Sequence, residues 1–391
     1  MHSEQTTHPL WPRVIGQERV KRILQGAIAA HRLPHALLFH GNEGSGKDAM
    51  ALEVARVLHC ERGEVDACGV CGSCLRLEGL QHPDVRLVTA LPVGKMEKSD
   101  DPPLLRLTQD EIQTIREEYR RKGANPYHRI NIPRANVIKI NSIREVRREA
   151  ALTTSGGRRR IFIISRAEEM SDEAANTILK TLEEPAGDSL LILTSAQPDA
   201  LLPTIRSRCQ QILFNLLTEG EIGAALQERE GTPPARAALV AHLADGDYVR
   251  ARELLEEDLT RQRAEVVEFV RLALAGNAAG VTEAAERRGG SKDRDDARRF
   301  LLLLLHWFRD ALVLTRGGKV INMDQTEDLE KFVNRFPQAR LRDVLLEVER
   351  SLFLLDRNVY IRLIFVHLAI RLKQIILPGA AQQGAPGSGT P

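Results

Sequence analysis

Eight residues near the N-terminus, Gly41-Asn-Glu-Gly44-Ser45-Gly46-Lys47-Asp48, have the types and spacing of a loop that cradles phosphate. Glycines let backbone N–H groups approach phosphate oxygens, and the lysine reaches the terminal phosphates. The next position is ordinarily Ser or Thr, whose hydroxyl sits on Mg²⁺, and here it is Asp48. A carboxylate could still meet a metal, but it also sets negative charge beside a polyphosphate, which puts ATP or ADP binding in question. Hydrolysis further needs an acidic pair at the end of a second apolar strand, one carboxylate for Mg²⁺ and one to polarise water. In Arg160-Ile-Phe-Ile-Ile-Ser165-Arg166-Ala167 those positions hold Arg166 and Ala167. Glu168 and Glu169 come one or two residues late and are expected to face solvent. Intrinsic ATP hydrolysis is therefore not expected.

A second set of groups is Cys60, Cys68, Cys71 and Cys74, with Gly69 and Gly72 between the last three. Four soft sulfur ligands at this spacing suit tetrahedral Zn²⁺ in a closed, structural site, with an iron–sulfur cluster or unligated thiols as alternatives. In a reducing compartment such a cluster favours metal over disulfides. Cys209 has no partner in the sequence and is expected to be buried. A third set is basic: Arg144, Arg147 and Arg148 on one helical pattern, with Ser155 and the run Arg158-Arg159-Arg160 nearby. Such a patch can hold phosphates, although a charge run is often only a solvated face. Aromatics make up 4% of residues and none interleaves with these arginines, so backbone contact is expected rather than base stacking.

These groups need a scaffold, and the hydrophobic patterning supplies one. Residues 14–32 show helical spacing, 36–40 form a short apolar run ending at Gly41, and a helix is expected from Lys47 to about His59. The phosphate loop thus lies between strand and helix, with the helix N-terminus facing the anion. Strand-type segments at Asn136 to Ile140, Arg160 to Ser165 and Leu190 to Ser195 alternate with helical patterns at Ser142 to Leu152 and Asp172 to Leu182, the signature of an α/β fold with a parallel sheet. Residues 90–135 break this alternation around a helical stretch near Thr108 to Lys122 and read as an insertion. The expected division is a P-loop α/β domain over 1–216 with a zinc module at 60–74, a small helical lid over 217–280, an all-helical domain over 281–378 and a disordered tail over 379–391. A length of 391 residues fits several domains.

Composition excludes some classes. Lys and Arg number 55 against 53 Asp and Glu, a formal charge of +2, so bulk charge does not mark a nucleic-acid binder. No apolar run reaches membrane-spanning length and MHSEQTTHPLWP lacks the features of a secretion signal, so no membrane association and a cytoplasmic location are expected.

The segment AANTILKTLEEP at 174–185, followed by Thr204-Ile-Arg206-Ser207-Arg208-Cys209, resembles the clamp-loader family of AAA+ proteins. VIGQE at 14–18, RLPHALLFHG at 32–41, the four-cysteine insert, HPD at 82–84 and SIREV from 142 extend the resemblance over roughly residues 14–215. It implies an AAA+ domain carrying a structural zinc module, a lid, and a C-terminal collar joining the subunits. It implies that Arg208, in the Ser-Arg-Cys motif, enters the ATP site of an adjacent subunit as an arginine finger, where sequence position alone leaves a solvated residue after a helix as the alternative. Thr194 takes the strand-end position that senses the terminal phosphate in active relatives, or is simply a strand-end hydroxyl bonded to backbone. Implied partners are motor subunits of the gamma/tau kind with intact P-loops, a delta-type clamp opener, the sliding clamp and the backbone of primer-template DNA, tracked by inner helices of a spiral. Asp48, Arg166 and Ala167 set the chain among family members with decayed sites. The alternatives are an active AAA+ motor subunit and, in a different class, a zinc-dependent nucleic-acid-binding module with a vestigial P-loop.

Overall fold

The computed structural model describes residues 11–63, 65–152, 159–185, 187–256, 259–289, 294–318, 326–357 and 359–377. The chain divides into two compact units, Met1–Ala237 with Ala244–Glu253, and Ala238–Leu243 with Leu254–Pro391.

The first unit is built on strands β1 (Ala36–His40), β2 (Val85–Val88), β3 (Arg160–Ile164), β4 (Ser189–Ser195) and β5 (Gln210–Leu213). All pair in parallel in the order β2-β3-β4-β1-β5. Strands covered on both faces must be apolar throughout. The central pair meets this condition, with Leu37, Leu38, Leu191, Ile192 and Leu193 almost wholly buried. Helices α1 (Glu18–Ala29), α2 (Lys47–His59), α3 (Gly72–Glu78), α4 (Gln109–Ala124), α5 (Ile140–Ala150), α6 (Asp172–Glu183) and the single turn α7 (Pro203–Arg206) intersperse with the strands. Then follow α8 (Glu219–Glu230), α9 (Pro234–Leu243), of which Ala238–Leu243 counts with the second unit, and α10 (Tyr248–Glu256), which lies in the first unit as far as Glu253.

Two local expectations change. Asn136 to Ile140 is not a strand. It contributes one isolated parallel bridge between Ile138 and Met170, and α5 already starts at Ile140. The strand beside β3 is instead β2, four residues interrupted by the exposed Arg86, and β5 closes the far edge with two exposed glutamines. Edge strands have one partner and tolerate polar residues, which erases the apolar signature that marks central strands. The insertion carries α4, whose start is fixed by a capping box between Thr108 and Glu111.

The second unit comprises the helices α11 (Leu259–Ala275), α12 (Ala278–Gly289), α13 (Arg294–Leu314), α14 (Thr326–Arg335), α15 (Leu341–Asp356) and α16 (Ile361–Ile376). Phe269, Phe300 and Phe365 form an aromatic cluster with ring centroids 5.4 to 5.8 Å apart. Trp307 meets Phe308 and Phe332 edge-on. In the Leu301 to Leu305 run, Leu301 and Leu304 are fully buried, which makes the run helix core. No helix among the described residues is long and apolar enough to cross a membrane. Arg158 and the tail at 379–391 lie outside the described residues.

Candidate functional site: a phosphate loop with an internal cation

The loop after β1 reaches α2 through positions that only glycine fits, Gly44 and Gly46 among them. Gly44 has φ 66° and a side chain there would collide with the Asp247 carboxylate. Gly46 has φ 95° and a Cβ would lie 2.8 Å from the Tyr127 hydroxyl. Gly46 caps α2, so the loop and the helix N-terminus form one cradle beside an open cleft lined by Lys47, Asp48, Lys122 and Arg166. Lys47 is buried. Its ammonium donates to the carbonyls of Gly41 and Asn42, at 2.7 and 2.6 Å, with Ser45 Oγ at 3.5 Å. Burial pulls the Lys47 pKa down, against the pull of Asp48.

Asp48 is the centre of the site. Thr194 Oγ1, from the end of β4, donates to its Oδ1 at 2.7 Å, and Ser165 Oγ, just past β3, donates to Oδ2 at 2.8 Å. Lys122, from the last turns of α4, is ion-paired with Oδ2 at 2.9 Å. Burial pushes the carboxyl up, but the Lys122 charge and the three hydrogen bonds outweigh it and bring the pKa down to about 2. Asp48 is a carboxylate held by an internal cation. Thr194 also accepts the Arg166 N–H at 3.2 Å, so its hydroxyl serves Asp48 and the backbone at once.

Where a hydrolytic site needs carboxylates, Arg166 has left-handed backbone, φ 54°, and its guanidinium pairs with Glu169 at 2.8 Å. Ala167 is buried. Glu168 is half-buried rather than solvent-facing, since its Oε1 accepts the Ala196 N–H at 2.9 Å beyond β4.

Lys122 and Tyr127 went unremarked in the sequence, where the insertion had no assigned role. Glu118 organises them by accepting from His128 Nε2 and from the Asn131 N–H, at 2.9 and 2.8 Å. Lys122 Nζ also donates to the His128 carbonyl at 3.0 Å. Tyr127 OH accepts the Ile15 N–H at 2.9 Å, its ring packs edge-on against Tyr248, and Arg229 lies over both rings. The insertion therefore reaches across the phosphate loop.

The thiol sulfurs of Cys60, Cys68, Cys71 and Cys74 all lie within 4.8 Å of one another, with Cys60, Cys71 and Cys74 buried. Tetrahedral zinc with Zn–S bonds of about 2.3 Å separates its sulfurs by about 3.8 Å, a spacing this grouping can accommodate. The Gly63 and Cys68 amides point at Cys60 Sγ, both at 3.3 Å, as expected of donors around a thiolate. His82 of the HPD segment has a structural use, its Nδ1 accepting the Asp84 N–H and its Nε2 meeting Ser73 Oγ. Cys209 is buried alone, and burial pushes its thiol up to about 12.

Arg208 follows α7. Its Nη2 pairs with Glu183 Oε1 at 2.5 Å and its Nη1 donates to the Thr204 carbonyl at 2.9 Å, with the side chain 34% exposed. Of the basic patch, Arg144 is tied to Asp100 at 2.5 Å, Arg159 pairs with Asp188 and Arg160 with Asp84. Arg147 and Arg148 are exposed on α5.

Comparison with known proteins adds a family. The family model described as "DNA polymerase III, delta subunit" matches residues 16–218. The delta′ subunit of DNA polymerase III from Bacillus subtilis is 27% identical over 92% of this chain and 96% of its own length. The delta′ subunit from Pseudomonas aeruginosa is 31% identical over 64% of this chain and 63% of its own. The tau subunit from Bacillus subtilis is 26% identical over 63% of this chain but only 37% of its own length. The family match takes in the phosphate loop, the cysteine cluster and Arg208 in one continuous span of more than half the chain, and the chain belongs to the DNA polymerase III delta-subunit family.

Proposed function

We propose that this chain works in a bacterial clamp loader as the delta-prime type of subunit, contributing an arginine to a neighbour's ATP site while not hydrolysing ATP itself. Membership of the clamp loader follows from the family. The division of labour rests on one observation: the Asp48 carboxylate is neutralised by Lys122, and the β3 end offers Arg166 and Ala167 where Mg²⁺ and water need acidic residues. Loss of those metal ligands removes the main source of transition-state charge stabilisation.

In this reading the lid spans 217–280, with α8 to α11, and the helices of 281–378 form the collar that joins the subunits. Partners are gamma/tau-type motor subunits, a delta-type clamp opener and the sliding clamp, in the cytoplasm. The four cysteines hold a structural Zn²⁺, whose closed sulfur set leaves no position for substrate. The deciding measurement is ATP turnover by the reconstituted complex with primed DNA and clamp. Lys47→Ala in this chain is expected to leave turnover within about twofold of wild type, since removing a lysine from a silent site costs nothing in the chemical step. A fall of tenfold or more would make the chain an active motor subunit.

The exposed Arg147 and Arg148 are proposed to meet the primer-template phosphates in the assembled complex, without sequence preference. Neutralising both in Arg147→Ala/Arg148→Ala is expected to weaken DNA binding alike on unrelated sequences and to reduce the slope of log affinity against log salt by about 2. A slope unchanged in the variant removes these two residues from the DNA contact.

A further inference from the structure

In a phosphate loop the residue after the lysine faces the divalent cation that travels with the nucleotide. Here that residue is Asp48, and an ammonium already stands on it. Lys122 Nζ is 2.9 Å from Asp48 Oδ2, and its side chain is only 6% exposed. Mg²⁺ binds carboxylate oxygen at about 2.0 to 2.1 Å and requires near-octahedral geometry. Its approach to Asp48 is opposed by that like charge: Oδ2 is shared by Lys122 and Ser165, and Oδ1, which already accepts from Thr194, offers only its remaining lone pair beside the ammonium. The two hydroxyls donate to the carboxylate and add to the charge compensation that Lys122 provides.

Lys122 has no easy retreat. The His128 carbonyl holds it from the other side, and Glu118 ties down the segment that carries His128. Tyr127 in the same segment is anchored on the Ile15 amide beneath Arg229. The second place from which a metal could be held, the end of β3, presents the Arg166 guanidinium to the same cleft. The Asp48 carboxylate is thus matched by a cation that the insertion delivers, and the end of β3 offers an arginine where a Mg²⁺ site would draw on a carboxylate.

We infer that Lys122, carried by the insertion helix α4, is a built-in cation that replaces the divalent metal at the phosphate loop and keeps Mg²⁺ and Mn²⁺ out. This assigns the insertion a task, holding the loop in one charge state whatever the metal and nucleotide in solution. It deepens the non-hydrolysing reading of the same pocket and rests on that reading.

The probe is Mn²⁺, counted by electron paramagnetic resonance on the full-length, zinc-loaded chain with and without ATP. Wild type is expected to bind no Mn²⁺ that Asp48→Asn removes. Lys122→Met, which leaves the Asp48 carboxylate uncompensated, is expected to gain one Mn²⁺ per chain in the presence of ATP, and Lys122→Met/Asp48→Asn to lose it again. Mn²⁺ bound to wild type in an Asp48-dependent way overturns the inference, as does a folded Lys122→Met that gains none. Should Lys122→Met fail to fold, the unaltered protein still decides. The affinity of a fluorescent ADP is expected to be no more than about twofold higher in Mg²⁺ than in buffer freed of divalent metal without a chelator, which leaves the zinc in place, and a tenfold gain from Mg²⁺ would overturn the proposal. The two readings fail separately. Lys47→Ala damaging turnover in the complex defeats the non-hydrolysing role whatever Mn²⁺ does, whereas Asp48-dependent Mn²⁺ with a harmless Lys47→Ala defeats only the built-in cation.

Discussion

Replacing Arg208 with alanine is expected to slow ATP hydrolysis at the adjoining motor site of the reconstituted loader by roughly 10³-fold or more, the lower bound for an arginine supplied in trans. Guanidinium is planar, permanently charged and able to bind two phosphate oxygens at once, so Arg208→Lys should rescue little of the loss. The geometry fits an arginine kept ready at a surface. Its side chain follows α7, is partly exposed, and is held by Glu183 and the Thr204 carbonyl rather than buried. Glu183→Gln should therefore change the rate far less than Arg208→Ala, because the glutamate orients the guanidinium in the free chain and makes no contact with phosphate. The readout is single-turnover hydrolysis with the phosphate-loop lysines of the other motor subunits replaced, which isolates the site next to this chain. A rate unchanged in Arg208→Ala would leave the residue as a surface arginine paired to Glu183.

The second large effect concerns the cysteines. Elemental analysis of the purified chain is expected to give one zinc, and Cys74→Ser to bring that close to zero. Cys74 is fully buried and lies at the start of α3, so its loss should unpin that helix and the loop from Cys60. The expected destabilisation in urea unfolding is about 4–5 kcal/mol, the upper range of single-substitution effects, where loss of a metal site belongs. Wild-type protein without stoichiometric zinc would end the claim. Zinc present with Cys74→Ser equally stable would reduce the module to an ornament on the fold.

Much of this molecule was legible from sequence alone because local periodicity reports burial. The apolar runs of β1, β3 and β4 could only be central strands, Gly41 to Asp48 could only link a strand to a helix, and four cysteines at short spacing converge wherever the loop goes. The absence of acidic residues at Arg166 and Ala167 was equally plain, being a matter of identity at known offsets from a strand. Short edge elements were not legible. β2 and β5 have four residues each and expose polar side chains, and Asn136 to Ile140 looked like a strand because alternating apolar residues also suit a bridge leading into a helix.

What tertiary structure decided was the meaning of Asp48. The sequence set a carboxylate in the phosphate loop and left open whether it would bind metal or repel nucleotide. Only the folded chain brings Lys122, Ser165 and Thr194 onto it, from a helix in the insertion and the ends of two strands. Such a pairing has no local signature, since a lysine on an amphipathic helix looks the same whether it faces solvent or a buried carboxylate. The partner is set by long-range packing, here by Glu118 and Tyr127 fixing the insertion over the loop, and electrostatic character follows from that packing.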